Sequence, residues 1–161
     1  MRVDLHTHTH HSPDSLMAPP AIIAAALRHG LDAVAVTDHN SIEGALQVRA
    51  AAPFPVIVGE VKTTEGEIIG LFLQRPIPPR LSPEETIAAI HEQGGLAYVP
   101  HPLDRWRGEA MGRRVLERII AQVDAIEVFN ARTLAARDNA LARQIAEAHG
   151  LPMGAGSDAH T

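Results

Sequence analysis

The stretch Ala33-Val34-Ala35-Val36-Thr37-Asp38-His39-Asn40-Ser41-Ile42-Glu43-Gly44-Ala45-Leu46-Gln47-Val48-Arg49-Ala50-Ala51 carries the plan of the whole chain in miniature. Its short apolar run, Ala33–Thr37, predicts a buried strand, and Ser41–Ala51, with helical spacing of apolar residues and Ser41 as N-cap, predicts the helix that follows. Asp38-His39-Asn40 falls between them, at the carboxyl end of the strand, where parallel α/β folds build their sites. The same alternation extends outward in both directions. Strands are expected at Val3–His6, Ala33–Thr37, Pro55–Gly59, Ile68–Leu73, Leu96–Val99, Ala125–Phe129 and Pro152–Ala155. Helices are expected at about Pro19–His29, Ser41–Ala51, Ser82–Gln93, Met111–Ala121 and Leu134–His149. Ser82, Pro83 and Glu85 make a capping-box start, while Gly30, Gly94 and Gly150 stand where helices should stop. The third and fourth strands are joined only by Thr63–Glu67, with Glu65-Gly66 at the turn, so this pair is expected to be a hairpin within an otherwise parallel series.

The fold class is therefore α/β with seven strands in one domain. Eight β/α units ordinarily use about 250 residues, and 161 residues do not hold a full eight-stranded barrel. With 45% apolar and 20% charged residues the chain buries a core rather than staying disordered. No run of eighteen apolar residues and no signal-peptide pattern at Met1-Arg2-Val3-Asp4 is present, so a cytoplasmic protein with no membrane partner is expected. Lys62 is the only lysine, the formal charge is −5 and aromatics are 3% of residues, which argues against long nucleic acid as the main partner. Cysteine is absent, so any metal is held by nitrogen and oxygen.

Histidine is the compositional outlier, with 10 in the chain. Residues i and i+2 of a strand share a face, so His6 and His8 at the first strand's exit aim two imidazoles at one point. An expression tag would also be histidine-rich, but Val3-Asp4-Leu5-His6 runs straight from strand into motif, and Asp158-Ala159-His160 repeats the spacing after the seventh strand. Further candidates follow other strand ends: His39, Glu60, His101 and Asn130. His29, His91 and His149 lie near helix C-termini, where the helix dipole or solvent explains them.

Together these motifs resemble the polymerase and histidinol phosphatase (PHP) family over essentially the whole chain. The matching segments are Asp4-Leu5-His6-Thr7-His8-Thr9, Ser12-Pro13-Asp14-Ser15, Thr37-Asp38-His39, Gly59-Glu60, His101-Pro102, Glu127-Val128-Phe129-Asn130 and Gly156-Ser157-Asp158-Ala159-His160. The resemblance implies a distorted TIM-like (β/α)7 barrel, of the small stand-alone metal-dependent phosphoesterase type, with two or three divalent ions at its carboxyl end. It implies His6, His8, Asp14, His39, Glu60, His101, Asp158 and His160 as metal ligands, with Glu60 bridging. Asn130 stands where many relatives have a histidine, and Glu67 near where some have another; both are further candidates for metal or substrate. Relatives usually continue past the closing motif, so the resemblance implies either a domain truncated at its C-terminus or a minimal version of it.

A multinuclear centre suits phosphate-ester hydrolysis, since it activates water and compensates charge on the phosphoryl oxygens. Asp14, Glu60 and Asp158 bring three negative charges, so two divalent ions leave the centre at about +1 and three at about +3, attractive to an anion despite the global charge. The mixed nitrogen and oxygen ligands suit zinc, manganese or iron without choosing among them. Asp158, His160 and His101 are the catalytic candidates: Asp158 to hold the attacking water, and either histidine to protonate the leaving group. Arg132, Arg105 and Arg107 lie beyond strand ends and are candidate phosphate-binding groups. Trp106 stands as a base-covering residue or a packing lid, and Asp4 and Asp38 as residues that orient imidazoles or simply cap strand ends. The expected function is hydrolysis of a small phosphorylated metabolite, nucleotide or short oligonucleotide end. Two alternatives remain open: a metal amidohydrolase, with Lys62 as its bridging carboxylated lysine, and a non-catalytic metal-binding PHP module.

Overall fold

The computed structural model describes residues 1–108 and 110–161, with Thr63 and Thr64 described by their backbone alone. All seven strands and five helices occur in the expected order: β1 (Val3–Thr7), α1 (Pro19–His29), β2 (Ala33–His39), α2 (Glu43–Ala51), β3 (Val56–Thr64), β4 (Gly66–Leu71), α3 (Pro83–Glu92), β5 (Leu96–Val99), α4 (Gly112–Ile119), β6 (Ala125–Asn130), α5 (Ala136–His149) and β7 (Met153–Gly156). The strands pair in sequence order, β1 to β7, in one sheet. Every neighbouring pair is parallel except β3–β4 and β4–β5, so β4 alone runs against the rest.

The sheet closes where the chain's two ends meet. A parallel bridge joins Thr7 to Ala159, the His8 amide donates to the Ala159 carbonyl at 3.0 Å, and the Asp158 amide donates to the His6 carbonyl at 2.7 Å. Asp4 tightens this seam, its Oδ1 accepting from the backbone amides of Ser157 (2.9 Å) and His6 (3.2 Å). Asp4 thus orients the backbone of His6 rather than its imidazole. The product is a nearly closed seven-stranded barrel wrapped by helices.

Two apolar clusters fill it. The larger one, with Val34, Val36, Val58, Ile68, Val99 and Ile126, packs the outer sheet face against helix residues such as Val48, Ile90, Leu116 and Ile119. Complete burial of each such aliphatic side chain stabilises the fold by about 1.5–3 kcal/mol relative to exposure. The smaller one, Ala35, Val61, Ile69, Leu71 and Tyr98, fills the barrel interior.

Local signals behave as their chemistry predicts, with two corrections. The Ser82 capping box is present in full, and Gly30 and Gly150 end their helices in the left-handed conformation. Ser41 is not the N-cap of α2: the helix starts at Glu43 with Ile42 as cap, although Ser41 Oγ still accepts the Glu43 amide at 3.1 Å. Strand β3 runs on to Thr64, so Glu60 lies within the strand rather than after it. Residues directly opposite in an antiparallel pair share a face. Val61 lies opposite Ile69 on the interior face, which Glu67, two residues before Ile69, shares; Glu60 lies opposite Gly70 and Lys62 opposite Ile68, on the helix-facing side.

Candidate metal centre

Segments at the carboxyl ends of the parallel strands line a cleft of about 530 Å³. His6, His8, Asp14, His39, Glu67, His101, Asp158 and His160 all face it, with Trp106, Arg107 and Arg132. Seven of the eight expected ligands therefore meet at one mouth, joined by Glu67. Among the described residues, three groups of imidazole and carboxylate atoms lie within 4.8 Å of one another: His6, His8 and Asp158; His8, His39 and His160; and His6, His101 and Glu127.

The first group is the tightest. His6 Nε2 and His8 Nε2 stand 3.0 Å apart, each 3.4 Å from Asp158 Oδ1. Their other ring nitrogens are engaged. His6 Nδ1 lies 3.1 Å from Glu127 Oε1, and since a carboxylate only accepts, that nitrogen carries the proton. His8 Nδ1 lies 3.0 Å from Ser12 Oγ, whose single proton goes to Asp38 Oδ1 at 2.9 Å, so His8 Nδ1 must donate as well. Asp38 thus acts on His8 through Ser12, while its carboxylate also accepts from the Thr9 amide (2.6 Å) and hydroxyl (2.7 Å). Both Nε2 lone pairs are thereby directed at each other and at a carboxylate, an arrangement that calls for a cation between them.

Protonation preferences follow. Burial disfavours the charged form of His6, but Glu127, with Asp158 and Glu67, outweighs it and raises its pKa above the usual value. His8 is lowered to about 4, first by burial and further by its histidine neighbours His6 and His160, with Asp158 opposing. Asp158, Glu67 and Glu127 are each penalised by burial yet held below the usual carboxylate range by surrounding histidines, with Arg107 adding to the effect at Asp158. Asp158 Oδ1 and both ring nitrogens of His101 are buried without a hydrogen bond among the described residues. Such orphaned atoms are costly unless something else satisfies them, and nitrogen with oxygen donors suits zinc, manganese or iron.

The remaining ligands form the mouth. Asp14, half exposed, sets its Oδ2 3.0 Å from His160 Nε2 and 3.8 Å from His39 Nε2; burial raises its pKa, but these histidines outweigh it and lower it. Glu67 lies 3.2 Å from His101 Nε2 and 3.7 Å from His39 Nδ1. Arg107 Nη2 is 2.6 Å from Asp158 Oδ2, and Arg132 Nη1 lies 2.8 Å from His160 Nδ1. His101, Asp158 and Asn40, all at the cleft, adopt positive φ of 24°, 54° and 56°. Strain of this kind, of order 1–3 kcal/mol at a residue, is concentrated at functional sites.

Four expectations are corrected. Glu60 is not in the cluster: its Oε2 accepts the Ile77 amide at 2.7 Å and its Oε1 lies 2.9 Å from Lys62 Nζ, on the helix-facing side. Lys62 goes with it and also donates to Asn40 Oδ1 at 3.1 Å. Arg105 turns away to Asp138 of α5, at 2.8 Å. Asn130 is buried beneath the cleft with its amide fully engaged: Nδ2 donates to Glu127 Oε2 (2.9 Å) and Asp158 Oδ2 (3.2 Å), and Oδ1 accepts from the Arg132 amide (2.9 Å). Of the histidines set aside, His91 pairs with Asp124 at 2.8 Å, and His29 and His149 are exposed at helix ends.

Glu127 is the residue the sequence reading passed over. Besides holding His6 it accepts the His101 amide at 2.8 Å, so one buried carboxylate orders two segments of the site. In the sequence it is an acidic residue amid the apolar strand Ala125–Phe129 and the first residue of the matching segment Glu127–Asn130, without a role of its own. Gly156 makes its room: a Cβ there would collide with Glu127 Oε1 and His6 Cβ.

Residues 4–59 match the PHP domain and residues 136–161 the PHP-associated region. An uncharacterized protein of Methanocaldococcus jannaschii is 44% identical over 145 residues, covering 81% of this chain and 82% of that one. A second from the same organism is 34% identical over 163 residues, covering 99% of this chain and 65% of that one. Among solved structures, a two-domain protein containing a predicted PHP-like metal-dependent phosphoesterase from Bacteroides vulgatus superposes with a TM-score of 0.84 at 22% identity. That match covers 99% of this chain but 52% of the Bacteroides protein, so the chain spans about half its length. An amidohydrolase from Chromobacterium violaceum gives a TM-score of 0.74 at 20% identity, covering 99% of this chain and 88% of that one. These two likenesses concern the fold.

Proposed function

Because the chain belongs to the PHP family, we propose that it is a metal-dependent phosphoesterase hydrolysing a small phosphorylated metabolite, a nucleotide or a short oligonucleotide end. The observation that carries this reading is the meeting of cation-seeking donors with two guanidinium groups in a single cleft. Two or three divalent ions, zinc, manganese or iron, supply when bound an activated water and compensation for the phosphoryl charge. His6 and His8 offer their Nε2 lone pairs, Asp158 its Oδ1, and His39, His101, His160, Asp14 and Glu67 complete the donor set.

Arg107 and Arg132 receive the phosphoryl group. Each guanidinium presents paired donors that match phosphate oxygens, and each now rests on a group inside the site that a phosphate oxygen would replace. Of the catalytic candidates, His160, at the mouth beside Asp14, protonates the departing alkoxide where its Nε2 is not committed to a metal. Asp158, whose carboxyl is held low, stays ionised near neutral pH and serves to orient water rather than to donate a proton. His101, deeper and 3.2 Å from Glu67, serves as a ligand. The amidohydrolase alternative loses its bridging lysine, since Lys62 faces the helices and pairs with Glu60. The same reading keeps the protein in the cytoplasm, with a small-molecule substrate and no membrane or long nucleic-acid partner.

The test is to strip the protein with chelator, reload it with manganese, zinc or ferrous iron in turn, and assay p-nitrophenyl phosphate, nucleoside monophosphates and dihydroorotate. Phosphate-ester turnover with at least one metal is expected, lost in His6→Ala, weakened in Arg132→Ala and retained in Arg105→Ala. Amide turnover alone overturns the reading in favour of an amidohydrolase, and metal binding without turnover in favour of a non-catalytic module.

A further inference from the structure

The β3–β4 hairpin offers the cleft two acidic residues, Glu60 and Glu67, and its register admits one. Glu67 sits on the interior face opposite Thr63, whereas Glu60 points to the helix layer opposite Gly70. Of its oxygens, Oε2 accepts the Ile77 amide at 2.7 Å and Oε1 is ion-paired with the Lys62 ammonium at 2.9 Å without a hydrogen bond among the described residues. Neither oxygen of Glu67 is employed in that way. Its carboxylate divides between two imidazoles, Oε2 at 3.2 Å from His101 Nε2 and Oε1 at 3.7 Å from His39 Nδ1.

Those imidazoles belong to different ligand groups. His39 gathers with His8 and His160, and His101 with His6 and Glu127. A carboxylate with one oxygen toward each of two groups has the geometry of a bridging ligand. His101 Nδ1 adds a second pointer, since it is buried without a hydrogen bond among the described residues and takes no part in the contact with Glu67. We propose that Glu67 is the carboxylate shared by two metal positions, one served by His39 and the other by His101, and that Glu60 is a structural ion-pair partner of Lys62. This rests on the cluster being a metal centre, and it is independent of which reaction the centre performs.

The consequence is separable by metal content. Manganese is titrated into chelator-stripped full-length protein and followed by calorimetry, elemental analysis after desalting, and electron paramagnetic resonance, in which two ions sharing a carboxylate give an exchange-coupled signal. Wild type is expected to bind at least two equivalents with that signal. Glu67→Gln should lose at least one equivalent at the concentration that saturates wild type, and lose the coupling. Glu67→Ala, which also removes the carboxylate, provides the same comparison should the glutamine variant not fold. Glu60→Gln combined with Lys62→Met, which avoids a buried unpaired ammonium, should keep both equivalents and the coupling. Full stoichiometry and coupling in the Glu67 variants, or their loss in the Glu60 and Lys62 double variant, overturns the assignment. If wild type takes up no manganese, zinc or iron at all, it is the metal-centre reading itself that fails.

Discussion

Single hydrogen bonds set the chemistry of this site. Ser12 Oγ donates to Asp38 and accepts from His8 Nδ1 and from the His39 amide, at 2.9, 3.0 and 3.0 Å, so one hydroxyl fixes a tautomer and seats a neighbouring ligand. Ser12→Ala leaves a buried donor unpaired, which costs about 1–3 kcal/mol, and loosens the orientation of His8. Urea denaturation should register that loss, and metal titration a drop in affinity of about 10–100-fold. Protonation supplies a second expectation. His6 is raised from the ordinary value of 6.5, so its contribution to stability is complete below that value and is lost as pH rises through the raised one. His8 is lowered to about 4, so the unfolded chain takes up its proton first and stability is lost as pH falls from 6.5 toward 4. Denaturation of chelated protein at a series of pH values should therefore show greatest stability near pH 6.5. Metal affinity should rise with pH through the same region, because the ion competes with the proton on His6.

At the scale of elements, the barrel works because some strands give up side-chain volume to others. Strand β7 reads Met153-Gly154-Ala155-Gly156, too small-sided to fill a barrel, and its glycines stand where Tyr98, Glu127 and His6 need space. Gly156→Ala should push His6 and Glu127 apart, with about 1–3 kcal/mol lost from overpacking. Calorimetric melting and manganese titration should fall together in that variant, since the displaced residues hold the ligand in place. The same scale shows where sequence reading was sufficient and where it was not. Apolar runs, the Ser82 box and the short Glu65-Gly66 link are local patterns, and they marked every strand and helix to within a few residues. Whether β3 stops at Gly59 or continues to Thr64 depends on a partner strand, and that choice decided that Glu67, not Glu60, faces the cleft.

For the whole molecule, the seam between β1 and the segment after β7 matters most, because it brings His6 and His8 against Asp158 and His160 from opposite ends of the chain. An unfolded chain cannot assemble donors so far apart, so a bound ion stabilises the native state alone, by about 2.7 kcal/mol at a hundredfold excess over Kd. Thermal melting with and without chelator should accordingly differ by several degrees. Equal melting temperatures would show that the assembled cluster holds no ion.

Residue type and local spacing were enough to determine the α/β alternation, the strand count, the antiparallel insertion and most of the histidines and carboxylates at the mouth, because hydrophobic period, turn chemistry and chelating His-x-His spacing are properties of neighbouring residues. Tertiary structure alone decided which acid of the hairpin points inward, that Arg105 turns away to Asp138, that Asn130 is spent on Glu127 and Asp158, and that Glu127 holds two ligand segments at once. Those outcomes depend on strand register and on partners many residues distant, and only the closed barrel brings those partners within a hydrogen bond's reach.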